Sequence, residues 1–410
     1  MRVRNIIIGI LAIILTAFLL YQIPGIKSRV DWGLFSLSAY VRGIVNPIGE
    51  MPTPIPVETS TTVEGTATTT PIPPSPTPGE PTPVPSPSPT ALPLTAKLLS
   101  PQWEKQYINN CGPASLAMYL RYYGWEGDQF DISDVIKPEA PDRNVNIEEL
   151  AHFSRNYAGW LITQYRVAGD IELLKTFLAN GIPVMIEEGD ELEQEWYTND
   201  DKWAGHFLLM TGYDDSRGIF YAQDSFRQAD REVSYENTDE RWKTFNRVYI
   251  LIYLPHQEDS VKQILGQQWD VDSNRQYALD TAQAEIDENP EDAFAWFNLG
   301  SNLVYFERYT EAAKAFDEAR RIGLPQRMFR YQFGPFHAYY HSHRIDDLMA
   351  LVDYSLTVTP NSEEAWLWRG WGLLQQGDRT GAIQAFRRSY KENITSFDAK
   401  WALDYLGVSP

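Results

Sequence analysis

Cysteine is almost missing from this chain: Cys111 is the only one in 410 residues. No disulfide can form within the chain, so the fold must rest on packing and hydrogen bonds. Positive charge is scarce too. Against 55 Asp and Glu stand 35 Lys and Arg, a net charge of −20, which argues against nucleic acid as a partner and against docking on anionic lipid. Charge is absent altogether from Asn5 to Ile26, and apolar residues are nearly absent from Pro52 to Pro93, where 14 of the 27 prolines lie. The first gap excludes a solvent-exposed helix; the second excludes a packed core.

With its flanks, the apolar run Ile6 to Tyr21 provides about 20 residues, enough to cross a hydrocarbon layer roughly 30 Å thick. Arg2 and Arg4 precede it, so a short cytoplasmic N-terminus is expected with everything later outside. No small-x-small cleavage site follows; Tyr21-Gln22-Ile23-Pro24 stands there instead, favouring an uncleaved anchor over a cleaved signal. Leu34, Leu37, Val41 and Ile44 recur at helical spacing beside Trp32 and Tyr40, reading either as a helix lying on the membrane or as a stalk. The Pro/Thr/Ser stretch cannot offset its ordering entropy and is expected to be disordered and extended. At about 3.1 Å per residue it reaches roughly 130 Å. The chain thus divides into tip and transmembrane anchor (1–28), juxtamembrane segment (29–50), linker (51–95), a first domain (96–257), a connector (258–275) and a second domain (276–410).

An unpaired cysteine on the outside is a nucleophile, a link to another chain, or a small buried apolar residue. Its context is Asn109-Asn110-Cys111-Gly112-Pro113-Ala114-Ser115, followed by an amphipathic helical pattern to Tyr123. That sets the sulfur at a helix N-terminus, where the backbone dipole favours a thiolate. Ile171 to Ala179 predicts a helix. Strands are expected at Gly159–Tyr165, Ile182–Ile186, Ala204–Asp214, Ile219–Ala222 and Arg247–Leu254, forming an antiparallel sheet. The acidic run Glu187 to Trp203 reads as a solvated loop. His206 opens one strand and Asp224 ends the next, across a tight turn at 215–218, so the two are expected as cross-strand neighbours. A thiol attacking an acyl carbon needs a base and a group to orient that base, and Cys111, His206 and Asp224 supply those types in order. Asp214 and Asp215 compete for the last role, and each of the three residues also has an ordinary structural reading. The oxyanion needs donors, for which the Cys111 N–H and the Gln106 amide are best placed, with Gln102 as fallback.

The string Gln106-x4-Cys111-Gly112-Pro113-Ala114-Ser115, the strand opening Gly205-His206-Phe207 with Gly212-Tyr213-Asp214, and Asp224 after a turn resemble the bacteriocin-processing (double-glycine leader) peptidases and their stand-alone papain-like relatives. The likeness covers roughly residues 97 to 257. It implies an α+β papain-like fold, a Cys-His-Asp triad and a Gln in the oxyanion hole. Two departures stand out: no transporter follows, and the acidic insertion before His206 is long.

In the second half, Trp296/Trp366, Gly300/Gly370, Leu303/Leu373, Ala312/Ala382 and Phe316/Phe386 match at a spacing of 70. That is twice a unit of about 35, and the pattern resembles the tetratricopeptide repeat. Three to four helix pairs are expected from about residue 275, with a divergent middle unit in which Pro335 falls inside the first helix. His337, His341 and His343 lack metal-ligand spacing, so no metal or organic cofactor is called for. The expected function is a membrane-anchored extracytoplasmic cysteine peptidase acting on a peptide or protein recruited by the repeats. The alternatives are a cell-wall peptide amidase with the same triad, or an inactive scaffold that binds through the repeats.

Overall fold

The computed structural model describes residues 2–56, 91–137 and 145–410. Most of the Pro/Thr/Ser linker (57–90), with its expected disorder, lies outside them. Helix α1 (Arg2–Tyr21) is the one helix among the described residues long and apolar enough to cross a membrane, and none of its Arg4–Tyr21 span is buried in the protein. Helix α2 (Pro24–Val45) follows after a two-residue break.

The middle of the chain is an α+β unit. Its antiparallel sheet runs β2 (Ile162–Arg166), β7 (Tyr249–Tyr253), β3 (Val184–Glu191), β4 (Trp203–Asp214), β5 (Ile219–Gln223), β6 (Arg231–Ser234), with β1 (Thr95–Lys97) paired to the last residues of β4. Period-two alternation sorts the strand residues between two cores. Met185, Phe207, Leu209, Ile250 and Ile252 face one, together with α3 (Cys111–Tyr122), α4 (Gln129–Ile136) and α5 (Ile147–Tyr157). Val184, Ile186, Leu208, Met210 and Leu251 face the other, with α6 (Ile171–Ala179), α7 (Tyr235–Lys243) and α8 (Glu258–Leu265). The central strands are therefore covered on both faces and read as continuous apolar runs.

Three features differ from the sequence expectations. The acidic run is not all loop: β3 continues to Glu191, and Glu187, Glu188 and Asp190 are buried. Residue-for-residue pairing with Trp203–Met210 of β4 holds this stretch in the sheet. Arg227 and Arg241 neutralise Asp190. Second, the stretch expected as connector is itself structured. Val261 and Leu265 of α8 are buried under the sheet, and Asn274 caps β2 by exchanging hydrogen bonds with the Val167 backbone (3.0 and 2.9 Å). Third, Met51 to Ile55, linker-like by composition, is seated on the repeats: Met51 packs on their core, and the Ile55 N–H donates to Asp347 (2.9 Å).

The C-terminal part is helical: α9 (Val271–Glu288), the pairs α10 (Ala293–Tyr305) with α11 (Tyr309–Ile322), α12 (Gly334–His341) with α13 (Ile345–Val358), α14 (Glu363–Gln375) with α15 (Arg379–Glu392), then α16 (Phe397–Tyr405). The 70-residue match has a steric cause. A Cβ on Gly300 would lie 2.7 Å from the Phe316 ring, and one on Gly370 2.3 Å from Phe386, so only glycine admits the ring between paired helices. Trp296 and Trp366 each donate from Nε1 to a proline carbonyl six residues back, Pro290 and Pro360, both at 2.9 Å. Pro335 does not interrupt a helix. The first half of that helix is replaced by a tight turn at Met328–Arg330, and α12 starts late enough to put Pro335 in its first turn, where no N–H is needed. His337 packs edge-on against Trp368 (4.4 Å between centroids) and His341 stacks on Tyr309 (4.3 Å), so both act as packing rings.

The repeats are docked firmly on the α+β unit. Buried Arg327 grips Asp200 through two hydrogen bonds (2.6 and 2.5 Å). Trp203 stacks on Phe245 with Tyr331 edge-on, and Asn246 meets Asn302 (2.9 Å).

Candidate active site

Helix α3 begins at Cys111. Pro113 falls in its first turn and forfeits no intrahelical bond. Gly112 packs closely: a Cβ there would come within 3.3 Å of the Phe207 ring on β4, which would have to yield by a few tenths of an ångström. Ser115, one turn on, donates to the Phe207 carbonyl (3.1 Å), so helix start and strand start are locked together.

His206, on β4, is buried. Its Nε2 meets Asp224 Oδ1 at 2.9 Å, which leaves the other ring nitrogen free of Asp224 on the cavity that Cys111 also lines. The two residues are not cross-strand partners: His206 pairs in the sheet with Glu188, while β5 ends at Gln223 opposite Leu209. Asp224 instead turns back from the loop after β5, its Oδ1 accepting from the N–H groups of Phe226 (2.9 Å) and Arg227 (3.0 Å). Arg231 donates to Oδ2 (2.8 Å). Asp214 and Asp215 lie at the opposite end of β4, in the turn, where Asp215 pairs with Lys175 (2.9 Å).

These contacts set the charges. Burial would raise the Cys111 thiol, but the hydrogen bond and charge of His206, a backbone hydrogen bond from Phe207 and the Lys137 ammonium bring it below its ordinary value. Burial would likewise lower His206, but Asp224 and then Cys111 raise it well above the usual imidazole range. Burial opposes ionisation of Asp224 too; His206, the Arg227 backbone and Arg231 overcome it and hold the carboxyl far below the usual range. The pair titrates as a unit, and all three directions favour thiolate beside imidazolium.

Gln106 is buried and lines the same cavity as Cys111 and His206. The Ser225 hydroxyl donates to its Oε1 (3.0 Å), and its N–H donates to the Ser225 carbonyl (2.8 Å). With the amide oxygen engaged, the NH2 end is left for the cleft. Gln102 is exposed and not among the residues lining the cavity. Several contributors escaped the sequence reading. Buried Gln129 of α4 accepts from Tyr107 N–H (2.6 Å) and Asn110 (3.2 Å) and donates to the Lys105 carbonyl (2.9 Å), clamping the loop that carries Gln106 into α3. Lys137 holds the Asn109 carbonyl (2.8 Å). Arg327, Arg330 and Tyr331, from the divergent repeat, form part of the cavity wall.

Two buried carboxyls sit beside the site. Burial holds Glu187 well above the ordinary range, with the Cys111 charge adding to it, and pushes Glu188 up to about 7. One Glu188 oxygen has no hydrogen-bond partner. Because its folded-state pKa is raised, Glu188 costs stability as pH climbs from about 4.5 toward 7, and the cost persists above that. The shift is worth roughly 3 kcal/mol at most. Glu188→Gln is therefore expected to raise Tm by roughly 5–10 °C at pH 8 and by much less at pH 5, read by thermal unfolding at the two values.

Comparison with known proteins agrees with this architecture. Residues 97–253 match the model of the Peptidase_C39 like family, and residues 273–325 and 347–396 match the tetratricopeptide repeat. No curated protein matches the chain. Among solved structures, a C39-like peptidase from Bacillus anthracis is 19% identical, covering 38% of this chain and 96% of its own (TM-score 0.31). A double glycine motif protease from an AMS/PCAT transporter, in complex with its leader peptide, is 19% identical over 39% of this chain and 94% of its own (TM-score 0.29). YrrB, a tetratricopeptide-repeat protein with an unusual peptide-binding site, is 18% identical over 32% and 70% respectively (TM-score 0.28). Residues 97–253 are thus similar to C39-like cysteine peptidases, and the helical region that follows is similar to tetratricopeptide-repeat domains.

Proposed function

We propose that this protein is a membrane-anchored, extracytoplasmic cysteine peptidase acting on a peptide or protein recruited by its repeats. The observation that carries the reading is the grouping of Cys111, His206 and Gln106 on one cavity, with His206 held by Asp224 at 2.9 Å and its charge lowering the Cys111 thiol. Cys111 attacks the scissile carbonyl as a thiolate. His206, as imidazolium, then gives its proton to the leaving amine, and in the second step it takes a proton from water to hydrolyse the thioester. Asp224 fixes the ring and balances its charge. The Cys111 N–H and the Gln106 amide receive the oxyanion.

The anchor is α1. The stripe Val30, Leu34, Leu37 and Val41 on α2 is exposed and lies against the outer leaflet, as befits an amphipathic helix directly after a spanning one.

The test is digestion of a peptide library in detergent by the full chain carrying Trp32→Ala and Phe35→Ala, which opens the cleft, beside the natural chain, read by mass spectrometry. Cleavage lost in Cys111→Ala, and reduced roughly 10²–10³-fold in kcat with KM little changed in Gln106→Ala, supports the reading. Cleavage that survives Cys111→Ala overturns it. Activity confined to purified cell wall moves the assignment to an amidase.

A further inference from the structure

Helix α2 carries two stripes at helical spacing on opposite sides. The exposed stripe is described above. The other, Trp32, Phe35, Ala39 and Arg42, lines the cavity that holds Cys111 and His206. Trp32 lies against Phe226 (6.4 Å between centroids), whose ring is itself edge-on to His206 (6.4 Å). Phe35 meets Tyr197 (6.4 Å). Polar contacts pin both ends: Tyr107, next to Gln106, donates to Asp31, and Asn199 donates to the Gly43 carbonyl (2.8 Å). Gly43 sits so close to the loop before β4 that a Cβ would fall 2.3 Å from Thr198 Oγ1. Beyond α2 the chain stays attached. Ile48 and Met51 pack on the repeat core, buried Arg320 donates to the Pro52 carbonyl, and Ile55 N–H donates to Asp347.

What remains of the cleft under α2 is about 130 Å³. That is well short of the roughly 300–1,000 Å³ of a pocket that accepts a sizeable ligand. An extended peptide cannot reach Cys111 while the helix is seated. We propose that α2, strapped down by residues 48–55 on the repeats, is an intramolecular plug of the Cys111 cleft, and that substrate enters only when this segment lifts away. The plug regulates the site proposed above, but its geometry does not depend on catalysis.

Because Cys111 is the only cysteine, thiol labelling of the full chain in detergent reports access directly. The ratio of the labelling rate by a polyethylene-glycol maleimide to that by iodoacetamide is compared between the natural chain and the double variant Trp32→Ala, Phe35→Ala. Removing two aromatic anchors is expected to raise the ratio roughly tenfold or more. An unchanged ratio overturns the plug. A second measurement leaves the aromatic anchors and Gly43 in place: Ser38→Cys with Thr198→Cys, two positions on the wall of the same cavity, in a Cys111→Ala background should be bridged by a short bis-maleimide, and failure to do so also overturns it. If the ratio rises while iodoacetamide labelling shows no dependence on His206, the plug stands and the peptidase reading falls.

Discussion

In His206→Ala, iodoacetamide alkylation of Cys111 at pH 6 is expected to fall roughly tenfold to 10²-fold, with the pH profile moving to that of an ordinary or raised thiol. Burial alone pushes this thiol up, and His206 supplies the largest opposing effects, a hydrogen bond and a positive charge. Removing the ring leaves only the weaker lowering effects, Lys137 among them, against the burial of the thiol. A thiol with pKa about 8.5 is roughly 0.3% ionised at pH 6, and the variant is held to that fraction or less, whereas the natural chain keeps a lowered thiol. Part of the loss is offset because a less acidic thiolate is intrinsically more nucleophilic, hence the lower bound. The signature is the profile: reactivity of the natural chain persists well below pH 8, while that of the variant is lost as pH falls through its raised pKa. Identical profiles would mean that the Cys111–His206 contact does not activate the thiol.

Asp224→Ala is expected to be the most damaging single change to stability in this region. Asp224 is completely buried and receives His206, two backbone N–H groups and Arg231. Truncation leaves an arginine and an imidazole without their counter-charge, a loss that typically costs roughly 3–5 kcal/mol, or about 10 °C in Tm for a unit of this size. Asp224→Asn keeps an acceptor for the backbone donors, so it should cost less stability while still cutting turnover by roughly 10²–10⁴ through loss of the charge that holds the ring. The pH dependence has two limbs. The depressed Asp224 contributes stability above its unfolded value near 3.9, lost as pH falls through its folded value. The raised His206 contributes below about 6.5 and loses that contribution as pH rises through its folded value. The Tm gap between natural chain and Asp224→Ala should therefore be widest between these limits and narrow in strong acid and at alkaline pH. A gap independent of pH would remove the charge from the explanation.

Much of the site's composition was legible in the chain because it is local. A helix start announces itself through Gly112 and Pro113, and Ile171–Ala179 shows its helix through apolar spacing and an Asn-Gly stop. The repeats declare themselves because the same ring must pass the same glycine in each unit. The divergent unit was readable as divergent, but not how it resolves Pro335, since the late helix start depends on packing by Arg330 and Phe329. The acidic stretch after Ile186 misled for a related reason. Charge reads as solvent exposure, whereas Asp190 is buried against two arginines 37 and 51 residues away.

The sequence by itself determined the two folded units, the order of thiol, imidazole and carboxylate, and an apolar helix ahead of them, because each is written in residue types at short spacings. Only the tertiary structure decided which atoms meet. Ser225 selects the free end of the Gln106 amide across 119 residues, Arg231 secures Asp224, Gln129 clamps the loop before Cys111, and α2 closes the cleft. None of these has a periodicity to betray it. Each is a single polar or aromatic contact whose partner is chosen by the global packing of the sheet, the helices and the repeats, and a linear pattern carries no record of that choice.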